Sequence, residues 1–201
     1  MFPFVETLSS QGGVVRNLPL HEARLNATRQ YFWNEKEWVD LTPYVAQIPY
    51  SSCQLKVRIL YDEKGVQNIS FEPYQRRSIG SLRLLFSDTI EYRFKSTQRE
   101  ALQWLFEQRD GCDDVLIVRN GLLTDTSFSN IALFDGRAWY TPAEPLLEGT
   151  MRASLLKEGK LRERDIAASE LLSYQKLMLL NALNGWAEIV LPTTAVKGVV
   201  C

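Results

Sequence analysis

The sequence predicts a mixed fold, α/β or α+β, built in two parts around a junction near residues 87–88. Three observations point there. Short runs of strand period are separated by turn residues at Ser9-Ser10-Gln11-Gly12, Asn120-Gly121 and Asp135-Gly136. Two stretches change to helical spacing, one after the first hairpin and one after the junction. With 45% hydrophobic and 23% charged residues over 201, the chain can bury a core of ordinary globular kind.

Residues 5–8 and 13–18 read as the strands of the opening hairpin. From Pro19 onward Leu20, Ala23, Ala27, Tyr31 and Phe32 fall near helical spacing, which predicts a helix over 21–34, and a second helix is expected over 37–46. Residues 54–61 alternate and run into Asp62-Glu63-Lys64-Gly65, a strand and its turn, and 66–74 continues as a strand. Strands are expected at 81–86 and 90–94, with the polar Ser87-Asp88-Thr89 between them as the boundary, giving parts of 1–87 and 88–201. Residues 97–109 form the clearest helix, with Ala101, Leu102, Leu105 and Phe106 on one face and Asp110-Gly111 to close it. Val115 to Val118 is a buried-looking strand before Asn120-Gly121. Strands at 129–134 and 138–141 flank Asp135-Gly136. Short helical pieces at 151–157, 168–172 and 174–176 precede closing strands at 176–180 and 188–191.

Composition excludes several functions. Lys plus Arg is 23 and Asp plus Glu is 24, a formal charge of −1, so no long-range field gathers nucleic acid. No run approaches the roughly 18 apolar residues of a membrane span, and Met1-Phe2-Pro3-Phe4-Val5-Glu6 lacks the features of a signal peptide, so the cytoplasm is the expected location. Cys53, Cys112 and Cys201 imply neither a disulfide framework nor a zinc site, and no metal is expected. His21 is the only histidine, which leaves little room for a Ser-His-Asp or Cys-His relay.

Two segments could carry chemistry. Leu146-Leu147-Glu148-Gly149-Thr150-Met151-Arg152 sets a glycine before a helix start, where backbone N–H groups and the helix dipole favour an anion, although such a glycine is often plain turn punctuation. The polar stretch from Asn120 to Asn130 either solvates a hairpin or lines a site.

Taken in order, the segments resemble the class IV aminotransferase and 4-amino-4-deoxychorismate lyase family. His21-Glu22-Ala23-Arg24-Leu25 fits H-x-x-R-L, and Lys95-Ser96-Thr97-Gln98-Arg99 fits K-x-x-x-R. Asp113-Asp114-Val115-Leu116-Ile117, Gly121-Leu122-Leu123-Thr124-Asp125, Ser129-Asn130-Ile131 and Trp139-Tyr140-Thr141-Pro142 follow D-x-x-L-x, G-x-x-T-E, x-N-I and x-T-P. Leu146 to Arg152 fits L-x-G-[IT]-x-R. Motifs in this order weigh far more than any one alone.

The resemblance implies the two-part class IV pyridoxal-phosphate fold, like that of D-amino acid aminotransferases, with pyridoxal 5′-phosphate between the halves, and it implies a homodimer. It makes Lys95 the catalytic lysine that holds the cofactor aldehyde and moves protons at the substrate carbon. Asp125 stands where the family usually carries the glutamate that meets the ring nitrogen; the charge is kept on a side chain one methylene shorter. Arg24 would grip the phosphate with its planar fork, joined by Gly149, the N–H groups of Thr150 and Met151, and the Thr150 hydroxyl. Asn130 belongs to the same cofactor-binding set. Asn181-Ala182 matches a further loop turned toward the phosphate, with wording closer to the lyase branch. Arg152 is expected to brace the loop before it, and His21 to be a first-turn residue with no catalytic proton.

The chain departs from the family pattern in two places. The family normally carries a stretch upstream of Glu6 that helps wall the site, so part of one wall is expected to be missing. The Asn-Tyr pair of branched-chain transaminases is absent after Lys95. The expected function is a 4-amino-4-deoxychorismate lyase that releases pyruvate and 4-aminobenzoate for folate synthesis. The alternatives are an aminotransferase for branched-chain or D-amino acids, and a catalytically silent cofactor-binding protein. The substrate is a small molecule with an amino group; Arg76, Arg77 and Arg83 are candidates for its carboxylate, none favoured over the others.

Overall fold

The computed structural model describes residues 3–198, so Cys201 lies outside the described residues. Contacts divide the chain into two compact units. One holds the residues up to Arg76 together with Phe94–Gln98; the other holds Arg77–Arg93 and the residues from Arg99 onward. The division expected at Ser87-Asp88 falls instead near Arg76, before the strand that pairs within the second unit.

The first unit is a four-stranded antiparallel sheet backed by a helix. Strands β1 (Phe4–Gln11) and β2 (Val14–Val15) form the opening hairpin, α1 spans Leu18–Trp33, α2 is one turn at Thr42–Val45, and β3 (Leu55–Asp62) and β4 (Gly65–Pro73) form a second hairpin. The order is β2-β1-β3-β4. Register pairs Phe4 with Tyr61, Glu6 with Ile59 and Leu8 with Val57. Because strand side chains alternate, these six lie on one face. Phe4, Leu8, Leu25, Leu41, Val57, Ile59 and Tyr61 form the core there, and Glu6 is a carboxylate buried among them.

Helix α1 differs from its expected face. Ala23, Ala27 and Tyr31 are exposed, while His21, Leu25, Asn26, Thr28 and Arg29 are buried. The buried polar groups have partners: Asn26 donates to the Glu22 and Val39 carbonyls and accepts from the Val39 N–H, and Arg29 donates to the Glu37 and Glu63 carbonyls. A face held by hydrogen bonds leaves no apolar stripe to read. The helix expected over 37–46 shrinks to α2 for a related reason. Residues before it are held extended by bonds to α1, with the Trp38 indole and the Leu41 N–H both donating to the Glu22 carboxylate.

The second unit begins with β5 (Leu82–Phe86) and α3 (Glu100–Glu107). It continues through β6 (Asp114–Arg119), β7 (Leu122–Thr126), β8 (Asn130–Phe134) and β9 (Trp139–Pro142). Then come α4 (Thr150–Lys157) and β10 (Arg162–Arg164), a 3-10 turn at Ala168–Ser173, β11 (Lys176–Leu180), β12 (Val190–Pro192) and β13 (Val196–Lys197). The sheet runs β10-β9-β8-β7-β6-β5-β13, with β11 and β12 branching from β8. Strand β5 lies parallel to β6, pairing Leu82 with Asp114 through Phe86 with Val118, which places it in this unit. The β6–β7 turn uses Asn120 and Gly121, both at positive φ (53° and 78°), as a tight hairpin of this sequence requires.

The strand expected at 90–94 does not form. Its apolar side chains go to different cores. Ile90 packs with Leu102, Leu105, Val115, Ile117 and Leu146, whereas the Phe94 ring stacks with Phe4, Tyr31 and Phe32 in the first unit. Helix α3 is correspondingly shorter than the expected 97–109.

Candidate active site

In the first unit the site residues gather around β1 and the start of α1. The Lys95 backbone is fastened to β1: the Val5 N–H donates to the Lys95 carbonyl at 3.0 Å, and the Thr97 N–H and hydroxyl both donate to the Pro3 carbonyl. Arg24 does not stand alone. Its Nε donates to Glu6 Oε1 at 2.9 Å and its Nη2 to Glu6 Oε2 at 2.6 Å, the parallel fork that suits guanidinium and carboxylate. His21 Nδ1 lies 2.6 Å from the same Glu6 Oε2. Burial works to raise the Glu6 pKa, but the Arg24 charge and the His21 and Arg24 hydrogen bonds prevail and hold it down at about 2. Glu6 is thus ionised, so His21 Nδ1 carries the proton and donates. Burial, together with the nearby charges of Arg24 and Lys95, pushes the imidazole pKa down against the pull of Glu6. His21 is therefore a neutral donor that helps hold Glu6, and Glu6 fixes the Arg24 guanidinium.

Neither Glu6 nor this use of His21 was read from the sequence. The available signal was the i,i+3 spacing of His21 and Arg24, which puts them on one side of the helix. Nothing local marks Glu6, since its partners come from another element.

In the second unit Asp125, Asn130, Gly149, Thr150 and Met151 come together. Asp125 on β7 pairs across the sheet with Asn130 on β8. Asn130 Nδ2 donates to Asp125 Oδ1 at 2.8 Å and to the Leu147 carbonyl at 2.8 Å. The Leu147 N–H donates to Asp125 Oδ2 at 3.0 Å. Asp125 is 4% exposed, and burial pushes its carboxyl up to about 7 against those two donors and the more distant charge of Arg152. None of its hydrogen-bond donors is a cation. A buried carboxylate in such a place gains most from a positively charged partner.

Gly149 opens α4, whose first turn has no side-chain cap, and has φ −76°. Its backbone is open to any residue, yet a Cβ there would stand 1.9 Å from Asn130 Oδ1. Only glycine fits, and the reason is close approach rather than torsion. Thr150 and Met151 are buried in that first turn. Arg152, 1% exposed, donates to Glu148 at 2.8 Å, to Glu163 at 2.7 Å and to the Pro142 carbonyl at 2.8 Å, tying the loop to the end of β9 and to β10.

Asn181 follows β11 and folds its own turn. Its Oδ1 accepts from the Leu183 and Asn184 N–H groups, and its Nδ2 donates to Ser129 Oγ at 3.0 Å. Ala182, half-buried, is carried in that turn. Asn181 thereby links the turn to the residue before Asn130. Arg77 lies over the Phe128 ring and Arg83 faces Asp110 at 3.6 Å; neither is drawn into the Asp125 cluster.

The fold and the sequence have known relatives. The model of the family described as amino-transferase class IV matches residues 4–191. An uncharacterized protein of Haemophilus influenzae (strain ATCC 51907 / DSM 11121 / KW20 / Rd) is 35% identical over 188 residues, covering 92% of this chain and all of its own. The solved structure of a "putative 4-amino-4-deoxychorismate lyase" from Haemophilus somnus 129pt matches with a TM-score of 0.84 at 30% identity, over 92% of this chain and 98% of that one. A hypothetical aminotransferase of Mycobacterium tuberculosis, solved with pyridoxal phosphate bound, shares the fold with a TM-score of 0.75 at 17% identity, over 98% of this chain and 82% of that one. Matched along nearly its whole length by the family model and by a relative above 30% identity, and built on the same mixed α/β fold, this chain belongs to the class IV aminotransferase family.

Proposed function

We propose that the protein is a pyridoxal-phosphate-dependent lyase that releases pyruvate and 4-aminobenzoate from 4-amino-4-deoxychorismate, a step of folate synthesis. The observation that carries the cofactor reading is Asp125: a buried carboxylate, held by two neutral donors, whose ionisation burial opposes. A protonated ring nitrogen is the partner that such a group lacks. Gly149 supports the same reading, because its missing side chain lets Asn130 pack against the backbone that leads into the first turn of α4. The residues present therefore fit the group.

Bound there, the cofactor supplies an electron sink for a carbon that loses a proton. Lys95 would hold the cofactor, and its amine would take the proton from the substrate carbon and deliver it to the departing pyruvate. Elimination needs one proton removed and one delivered, work that a single unprotonated amine can do in turn. Asp125 would keep the ring nitrogen protonated. In the first unit Arg24, oriented by Glu6, would be a donor suited to the phosphate, and in the second the N–H groups of Thr150 and Met151 would be. Asn181 and Ala182 shape the neighbouring turn. The reading includes a homodimer, with a light-scattering mass near twice 23.1 kDa, and a cytoplasmic location; among the described residues no helix is long and apolar enough to cross a membrane.

The lyase is favoured over an aminotransferase by the Haemophilus somnus relative, which is 30% identical along almost its whole length. Purified protein given 4-amino-4-deoxychorismate should release pyruvate and 4-aminobenzoate in equal amounts with no keto-acid acceptor, and Lys95→Ala should abolish release. Borohydride reduction followed by peptide mapping should find the cofactor on Lys95. Conversion of bound cofactor to its amine form by branched-chain or D-amino acids, without pyruvate release, would instead make it an aminotransferase. Label elsewhere than Lys95 would overturn the cofactor reading.

A further inference from the structure

We propose that Asn130 is a positioning residue that couples the two ends of the cofactor cradle: one side chain holds the Asp125 carboxylate, the Leu147 carbonyl and the approach of the Gly149 backbone. This rests on the pyridoxal-phosphate reading and assigns Asn130 a task other than touching the cofactor. The geometry supplies three restraints. Nδ2 donates both of its hydrogens, one to Asp125 Oδ1 and one to the Leu147 carbonyl, each at 2.8 Å. The Leu147 N–H returns a bond to the other Asp125 oxygen at 3.0 Å. Oδ1 lies where a Gly149 Cβ would be, 1.9 Å from its ideal position.

The three restraints form a closed loop. Asp125 cannot rotate without releasing Leu147, and the 146–149 segment cannot retreat without breaking the bond from Asn130. The segment leads straight into α4, the helix start assigned to the phosphate. A shift at the ring-nitrogen end is therefore passed to the phosphate end through side chains that are nearly all buried: Asn130 is 5% exposed and Asp125 4%. Buried amides with every hydrogen committed hold their rotamer well, because each alternative orientation leaves a polar atom unmatched. Asn181 reinforces the arrangement from the other side through Ser129, the residue before Asn130.

The test separates the two ends with three probes on the full chain: pyridoxal 5′-phosphate, pyridoxal, which lacks the phosphate, and inorganic phosphate as a competitor of the first. In Asn130→Ala both pyridoxal and inorganic phosphate should bind about tenfold more weakly, the equivalent of losing one charge-assisted hydrogen bond. Weakening of pyridoxal alone, or of neither, would overturn the coupling. Asn130→Asp guards against a variant that merely unfolds. It keeps the shape and exchanges the donor for a carboxyl that can donate only when protonated. A protonated carboxyl restores one of the two donated hydrogens, so the variant's affinity should lie within about tenfold of wild type at pH 5.5 and fall at least tenfold further by pH 8.5; a ratio independent of pH would count against the proposal. Gly149→Ala should impair cofactor binding in the wild-type background and cost little further in Asn130→Ala, where the clash is gone. Additive losses would refute the contact as the reason for glycine. If wild-type protein binds no pyridoxal 5′-phosphate at all, it is the cofactor reading that fails, and the melting temperatures of the Gly149 and Asn130 variants still decide whether the two residues are coupled.

Discussion

The carboxylate of Asp125 makes a prediction that needs no substrate. Its pKa rises from an ordinary 3.8 to about 7 in the folded protein. A group whose folded pKa is raised binds more protons folded than unfolded, so stability falls as pH rises between the two values. At 1.36 kcal/mol per pH unit the whole loss is about 4 kcal/mol, of which about 2.5 kcal/mol falls between pH 5 and pH 8. Asp125→Asn does not titrate. It carries a fixed cost, because one of the two donors facing it must meet an amide N–H₂, but that cost does not change with pH. Every other ionisable group is common to both proteins. For cofactor-free protein the melting temperature of wild type relative to Asp125→Asn should therefore drop by roughly 5–10 °C from pH 5 to pH 8. Calorimetry at matched ionic strength reads this directly. A gap that stays constant would refute the claim that burial opposes ionisation of Asp125. Adding pyridoxal 5′-phosphate should narrow the drop, since a protonated ring nitrogen would stabilise the charged carboxylate.

Glu6→Gln removes the charge that Arg24 and His21 face in the first unit. It should destabilise the protein by about 3 kcal/mol at pH 7, the cost of leaving a largely buried guanidinium without its carboxylate. Glu6 has a lowered folded pKa of about 2, so its contribution is complete above pH 4.5 and is lost as pH falls toward 2; urea melts should show the gap between wild type and variant closing over that window. Asp114 is 0% exposed, and neither of its oxygens has a hydrogen-bond partner. Burial raises its pKa, so stability is lost as pH rises above the ordinary carboxyl value of 3.8, and the melting temperature of Asp114→Asn should gain on wild type as pH rises from there; a pH-independent difference would contradict this.

What the sequence disclosed follows from where the information lies. Hairpins at Asn120-Gly121 and Asp135-Gly136 are local, set by residues that tolerate positive φ, and they form where expected. The strand at Lys176–Leu180 is a continuous apolar run and also forms as read. Helix α1 was placed correctly but turned the wrong way, because its buried face is satisfied by Val39, Glu37 and Glu63 from distant chain positions. Residues 90–94 have strand composition and no strand, because Ile90 and Phe94 serve separate cores. The site shows the same contrast. Ordered motifs single out Arg24, Asp125 and Asn130 as candidates, but the bonds that hold them come from Glu6 for Arg24 and from the Leu147 backbone for Asp125 and Asn130, partners set by pairing between elements.

The short carboxylate is where chemistry and packing meet. A glutamate at position 125 would reach one methylene further, and were reach alone limiting, Asp125→Glu would improve cofactor affinity. The geometry argues otherwise. Asn130 Nδ2 and the Leu147 N–H both sit at hydrogen-bond distance from the aspartate oxygens, and Leu147 is held there by the same Asn130 amide. The loop is built around the shorter side chain. An added methylene in this buried space costs about 1–3 kcal/mol and displaces the carboxylate from both donors. Asp125→Glu should therefore bind pyridoxal 5′-phosphate more weakly and melt at a lower temperature. A variant that bound more tightly while losing stability would show that Asp125 stands too far from the ring nitrogen, and that the Asn130 clamp restrains the site rather than completing it.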